Sequence, residues 1–255
     1  VANSPTGDSM VQRVVRVLES FDSGRVSQTA SEIARRSQLP TSTAHRIVGE
    51  LVETGLLERD ESGAVRIGLR LWELTTRGSR ALGLRQLAMP FMAEVQAVVR
   101  EHTQLAVLEE HEVLFIERLS ARNAGANVTR IAGRLPLHAS SSGLVLLAFA
   151  PPELQEAVLS GPLREVSQET ITDPRRLRSK LAEVRRLGFA SAPGFIEQVS
   201  SGIAVPVRDG SGTVIAALSV VLPRERAGDQ EAVLVLKRAA SRITEAIAAT
   251  GFLSR

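Results

Sequence analysis

The chain contains no cysteine, which removes disulfides, thiol nucleophiles and thiolate metal sites, and fits a reducing cytoplasm. Aromatic residues are scarce, 3% against 44% hydrophobic overall, so the cores must be built from Leu, Val, Ile and Ala. Lysine is nearly absent: Lys180 and Lys237 are the only two. The pI near 10.3 therefore reflects arginine rather than a polybasic surface, and the net charge is only +3. There is no long apolar run. The longest uncharged stretch, Leu135 to Pro152, is interrupted by His138, serines and prolines, so no membrane span is expected. The opening VANSPTGDSM lacks an apolar core, does not read as a signal peptide, and residues 1–9 look like a disordered tail. A length of 255 residues suits two domains better than one.

What is present is organised around Leu39 to Gly55. Ala44, Ile47, Val48, Leu51 and Val52 form the apolar stripe of an amphipathic helix. Pro40 stops what precedes it, Thr41 or Ser42 can cap the start, and Gly55 supplies a left-handed residue at the end. The opposite face shows Ser42, Arg46, Gly49 and Glu53, flanked by Thr43 and Glu50. Short polar side chains, an arginine and a residue without a side chain let a helix approach the DNA major groove closely.

The flanking elements sharpen this reading. Met10 to Phe21 repeats apolar residues at helical spacing, and Thr29-Ala30-Ser31-Glu32 is a capping box opening a short second helix. Ser37 to Pro40 then makes the turn of a helix-turn-helix. Leu56 to Arg59 and Ala64 to Ile67 alternate around the turn Asp60-Glu61-Ser62-Gly63, a β-hairpin that makes the motif a winged one. DNA contacts are expected from Arg35, Thr41, Ser42, Thr43, His45 and Arg46, with Arg59 or Arg66 reaching phosphate. Through Arg70 there are nine arginines against nine acids, so attraction to DNA must come from placement, with Arg35, Arg36, Arg46, Arg59 and Arg66 on one side. A neutral reading domain would bind weakly alone, which points to two or more copies on a pseudo-palindromic duplex.

Beyond the wing, leucines at 69, 71, 74, 82, 84 and 87 carry a helical rhythm broken near Gly78 and Gly83. It reads as a linker helix followed by a helix from Arg85 to His102, or as one kinked helix. From Gln104 the period changes. A hairpin is expected over 105–116, a third strand over Asn127 to Ile131, helices over 140–149 and 173–187, two longer strands over 202–207 and 213–222, and a closing helix over 230–249. Hairpins mixed with helices indicate an α+β domain with an antiparallel sheet.

SEIARRSQLPTSTAHRIVGELVETGLLERD, GRLPLHASSSGLVLLAF at 133–149 and IAVPVRDGSGTVIAALSVVLP at 203–223 together resemble the IclR family of transcriptional regulators. The resemblance runs from Val11 to Thr250. It implies a winged helix-turn-helix over 10–70, a linker helix over 71–84, and a GAF-like effector-binding domain over 85–255. It also implies homodimers, commonly paired into tetramers. The family's small-molecule pocket lies between the Gly133, Leu135, His138 and Ala139 segment and the last strands. There the family often carries an acid, a cysteine and two alternating serines, where this sequence reads Ala192, Gly202, Ser219 and Val221. A roomier, less polar pocket is therefore expected. Backbone N–H groups at Ala139 to Ser142 would hold an acidic effector, such as an aromatic acid, with Ser219 bonding it from the facing strand.

No catalytic site is expected. His138 with Ser140, Ser141 and Ser142 lacks a third group to orient a nucleophile, and the spacing of the four histidines suggests no metal site and no cofactor. The favoured function is a ligand-responsive, DNA-binding transcriptional regulator in the cytoplasm. The alternatives are an effector-independent DNA-binding protein and an enzyme housed in the α+β domain.

Overall fold

The computed structural model describes residues 7–22, 24–125 and 127–251. The chain divides into two compact units at Ser79 and Arg80. In the first, α1 (Met10–Glu19), α2 (Ala30–Ser37) and α3 (Thr41–Glu53) pack around Val17, Ile33, Ala44, Ile47 and Val48. A small antiparallel sheet of order β1-β3-β2 (Ser27–Gln28, Val65–Ile67, Leu57–Arg59) adds Leu57 and Val65 to this core. Each helix start has its own solution to the orphan amides. Thr29 and Glu32 form the expected capping box on α2, an arrangement whose hydroxyl contributes about 1 kcal/mol. Ser9 and Gln12 form a second one on α1, and Asp8 pairs with Arg16. Residues 8 and 9 are thus part of the fold, while residues 1–6 of the expected tail lie outside the described ones.

The start of α3 differs from expectation. Pro40 is the cap residue, no side chain caps the helix, and Thr41 is already in its first turn. Thr41 and Ser42 are exposed, and neither hydroxyl caps the helix. Gly55 takes the left-handed conformation at φ +75° that ends the helix. At the far side of the wing, Gly68 runs so close to the Gly55 carbonyl that no side chain fits there, and its N–H bonds to the Leu56 carbonyl at 2.9 Å. The strand returning from the wing is thereby fastened to the end of α3. Next comes α4 (Leu69–Gly78), which buries none of its residues.

The second unit opens with α5 (Arg80–Val99), which ends three residues earlier than expected because His102 already belongs to a strand. Its sheet has six antiparallel strands in the order β6-β5-β4-β9-β8-β7. These are Arg134–Pro136, Glu112–Leu119, His102–Glu109, Val214–Pro223, Ser200–Arg208 and Ala190–Pro193. The anticipated strand at Asn127 to Ile131 is not one. That stretch stays in the long β5–β6 connection, and the pairing is made by Arg134–Pro136 instead. Alternation then sorts side chains onto two faces. Leu105, Ile203, Val205, Leu218 and Val220 pack with α5 and with α9 (Gln230–Thr250). Ala106, Phe115, Ala192, Ala204 and Ala217 pack with α6 (Ser141–Ala148) and α8 (Pro174–Leu187). Small residues on this second face let α6, every residue of which is buried, lie close to the sheet. Asp173 caps α8, and α7 (Pro152–Ser160) is an additional short helix.

Candidate functional site

The exposed surface of α3 presents Thr41, Ser42, His45 and Arg46, with Thr43 half-buried. Their spacing matches that of the polar face expected for a groove-reading helix. The cations around it are not free, however. Arg46 is ion-paired with Glu50 one turn on, at 2.6 Å. Arg36 pairs with Asp22 at 2.9 Å, and Arg66 with Glu58 at 3.1 Å. Arg59 donates to the carbonyl of Gly63 across the wing turn, at 3.1 Å. The strand register also separates the two wing arginines. Arg66 lies opposite Glu58, and Arg59 opposite Val65, so they project from opposite faces of the ribbon. The expectation that both sit on one side is corrected by this register. Arg35, in the last turn of α2, stands exposed and lines a groove with Arg25 and Gln28.

In the second unit a cavity opens between the start of α6, the sheet and two connections. Ala139, Ser140, Ser141, Ser142, Ala192, Gly202 and Val221 line it. Gln104 and Phe115 from the sheet, Asn127, Val128 and Thr129 from the β5–β6 connection, and Phe195, Ile196, Glu197 and Ser200 from the β7–β8 turn complete it. No sequence pattern marked this last group, because the connections are irregular and acquire a shared wall only on folding. Gln104 alone gave a signal, as a polar residue inside a strand with a buried face. The cavity is narrow, with about 30 Å³ open to the centre of a water molecule.

The start of α6 supplies donors. Ser140 Oγ accepts from the Gly143 amide at 3.0 Å, and the Ser140 carbonyl accepts from Leu144 at 2.9 Å. The amides of Ser141 and Ser142, ahead of these, have no place in the helical ladder. Ser142 Oγ donates to Ser219 Oγ at 2.9 Å. Ser219 is 1% exposed, engaged by Ser142, and is not among the residues that line the cavity. Gly202 likewise leaves no additional room, since a Cβ there would fall 2.5 Å from Ser141 Oγ, so the space is already filled. Gly133, Leu135 and His138 do not line the cavity.

His138 has a different task. It is 3% exposed, and its Nε2 lies 2.9 Å from the Arg164 carbonyl, which requires Nε2 to donate. Burial pushes its pKa down, opposed by the hydrogen bond to Arg164, with the nearby Arg164 charge lowering it further. A neutral imidazole fastened to a carbonyl, with Ser140 committed to its helix cap, is not a nucleophile–base pair.

A winged helix-turn-helix joined to an α+β domain with a cavity defines a DNA-binding regulator that answers to a small molecule. The family model described as "IclR helix-turn-helix domain" matches residues 10–61, and "Bacterial transcriptional regulator IclR C-terminal" matches residues 79–247. The chain belongs to the IclR family. It is 30% identical to the HTH-type transcriptional regulator XynR of Escherichia coli, covering 87% of this chain and 88% of that one. It is 28% identical to the Pca regulon regulatory protein of Pseudomonas putida, covering 84% and 76%. An IclR homolog from Microbacterium hydrocarbonoxydans, crystallised in complex with 4-hydroxybenzoate, is 58% identical at a TM-score of 0.90, covering 94% of this chain and 99% of that one. The protein is a ligand-responsive, DNA-binding transcriptional regulator, its partners an operator and a small effector. Among the described residues no helix is long and apolar enough to cross a membrane.

Proposed function

We propose that the cavity at the start of α6 binds an aromatic acid of the hydroxybenzoate type, and that its occupancy changes operator affinity. The observation that carries this reading is the lining itself. Ser141 and Ser142 bring first-turn amides suited to a carboxylate, while Phe115, Phe195, Ile196 and Val221 offer an apolar wall to a ring. The 4-hydroxybenzoate complex of the Microbacterium hydrocarbonoxydans homolog supports it. A ring entering so narrow a cavity must spread its walls, and a ligand acts through its differential affinity for two such states. Residues 10–70 would then read DNA, 71–84 link, and 85–255 sense the effector, with no enzymatic step, in the cytoplasm.

For the DNA side, Ser42, Thr43 and Arg46 enter the major groove in this reading, supported by Thr41, His45 and Arg35, with Arg59 or Arg66 on phosphate. Dimerisation through the first unit supplies the second half-site. Its support is the apolar surface left open there: Val11 is 71% exposed on α1, and Leu69 and Trp72 are 64% and 61% exposed on α4. Calorimetry with glyoxylate, pyruvate, benzoate and 4-hydroxybenzoate tests the effector assignment. Binding of the aromatic acids in preference to the keto acids is expected. Tight binding of the keto acids alone would overturn it.

A further inference from the structure

We infer that Asn127 is a specificity-determining residue, whose side-chain amide donates to the carboxylate of the bound acid from the β5–β6 connection. The inference rests on the acid-binding reading above.

Its basis is the way Asn127 is held. Its Oδ1 accepts from the Thr129 amide at 3.0 Å and from Thr129 Oγ1 at 2.7 Å. Two donors on one oxygen fix which end of the side-chain amide is which, so Nδ2 must point the other way. There Nδ2 is buried and has no acceptor among the described residues. A buried donor left without a partner is costly, and at a cavity wall a bound ligand can supply the missing acceptor. Asn127 lines the same cavity as the start of α6.

The surrounding contacts place this donor at the carboxylate-binding end. Thr129 is gripped by Gln104 Nε2 at its hydroxyl and by Arg118 at its carbonyl. Gln104 in turn lies directly opposite Ser219 in the β4–β9 register, and Ser219 is bonded to Ser142 in the first turn of α6. Asn127 is therefore held through Thr129 by Gln104, whose register partner Ser219 is bonded to the same turn that offers its amides. A second group at that turn is also unengaged. Ser141, 5% exposed and on the cavity wall, has no hydrogen-bond partner for its hydroxyl among the described residues. Glu197, the one acid in the described lining, comes instead from the β7–β8 turn. Its charge repels a carboxylate and favours the orientation that sends the ligand's acid group toward α6 and Asn127.

The test compares 4-hydroxybenzoate with 4-hydroxybenzyl alcohol, which lacks the carboxylate, on wild type and on Asn127→Ser by calorimetry of the full chain. Serine keeps an acceptor for the Thr129 amide but lacks the amide NH2 and is too short to reach where it stood. The preference for the acid over the alcohol should shrink about ten-fold or more, the size of a lost charge-assisted hydrogen bond, with the thermal midpoint of the free protein little changed. Asn127→Asp, which puts an oxygen where the donor was, should weaken the acid further still. Equal weakening of both ligands would reveal a purely structural role and overturn the inference, as would no change in either. If the wild type binds 4-hydroxybenzoate and the preference survives, the inference alone falls. If the wild type binds no aromatic acid, the effector reading falls and takes the inference with it.

Discussion

Ser141 occupies the place of a side chain on residue 202: a Cβ on Gly202 would lie 2.5 Å from Ser141 Oγ and 3.2 Å from its Cβ. The glycine is matched to the serine. Gly202→Ala should cost about 1–3 kcal/mol through overpacking and displace the first turn of α6, weakening effector binding. Ser141→Gly in the same chain should restore thermal stability. Equal melting temperatures for wild type and Gly202→Ala would refute the fit.

The Ser142–Ser219 bond joins α6 to β9 across the buried face. Ser219→Ala leaves Ser142 Oγ without its acceptor, and unfolding by urea should show a loss of about 1 kcal/mol. Effector affinity should fall less than in Asn127→Ser, because Ser219 is not among the residues that line the cavity. A larger loss of affinity in the serine variant would place Ser219 in contact with the ligand after all.

Arg46 and Glu50 share an ion pair on the surface of α3. Arg46→Ala should lose about 1–3 kcal/mol of operator affinity if it reads a base. If it touches phosphate alone, the loss is the same for every sequence and the salt slope falls by about one unit. Glu50→Gln frees Arg46 and removes a charge facing the duplex, so it should tighten binding at low salt. Fluorescence anisotropy across a salt series reads all three, and weaker binding by Glu50→Gln would exclude Glu50 as a restraint.

His138 makes stability depend on pH in a defined direction. Its folded pKa is depressed chiefly by burial, so the unfolded chain takes up a proton first as pH falls. The folded state is then destabilised progressively from about pH 6.5, the ordinary histidine value, down through the folded pKa. Above that window the contribution is fully present. Replacement by Phe, which cannot titrate, should flatten the stability profile between pH 7 and 5; an unchanged slope would assign the acid sensitivity elsewhere.

Trp72 is 61% exposed on α4, a helix that buries nothing within its own unit. Trp72→Asp should convert a dimer into a monomer in light scattering and reduce operator binding with it. A wild-type monomer at micromolar concentration would remove this interface.

Local order was readable in the chain wherever it depends on neighbours in sequence. The Thr29–Glu32 box, the left-handed Gly55, the cap at Asp173 and the two Asp-x-Ser-Gly turns all follow from groups a few residues apart. Asp60 and Asp209 accept from the same three positions in those turns, the amide and hydroxyl of the serine and the amide four residues on, which lowers both carboxyl pKa values. Alternation likewise marked the α+β class and most of the sheet, and the residues at 139–142 marked one wall of the cavity.

Tertiary structure decided what depends on distant segments meeting. Asn127 to Ile131 has strand-like residues, yet the hydroxyl and carbonyl of Thr129 are claimed by Gln104 and Arg118, and residues 127–129 form a cavity wall instead of a strand. Gly202 suggests empty space until Ser141 is seen to fill it, and Ser219 shows no partner until Ser142 is seen to bond it. Arg59 and Arg66 look equivalent until the register puts them on opposite faces. Periodicity fixes which residues are buried, because each element must hide one face. It carries no information on which buried polar group finds a partner within the chain and which is left for a ligand, since that depends on contacts across tens of residues.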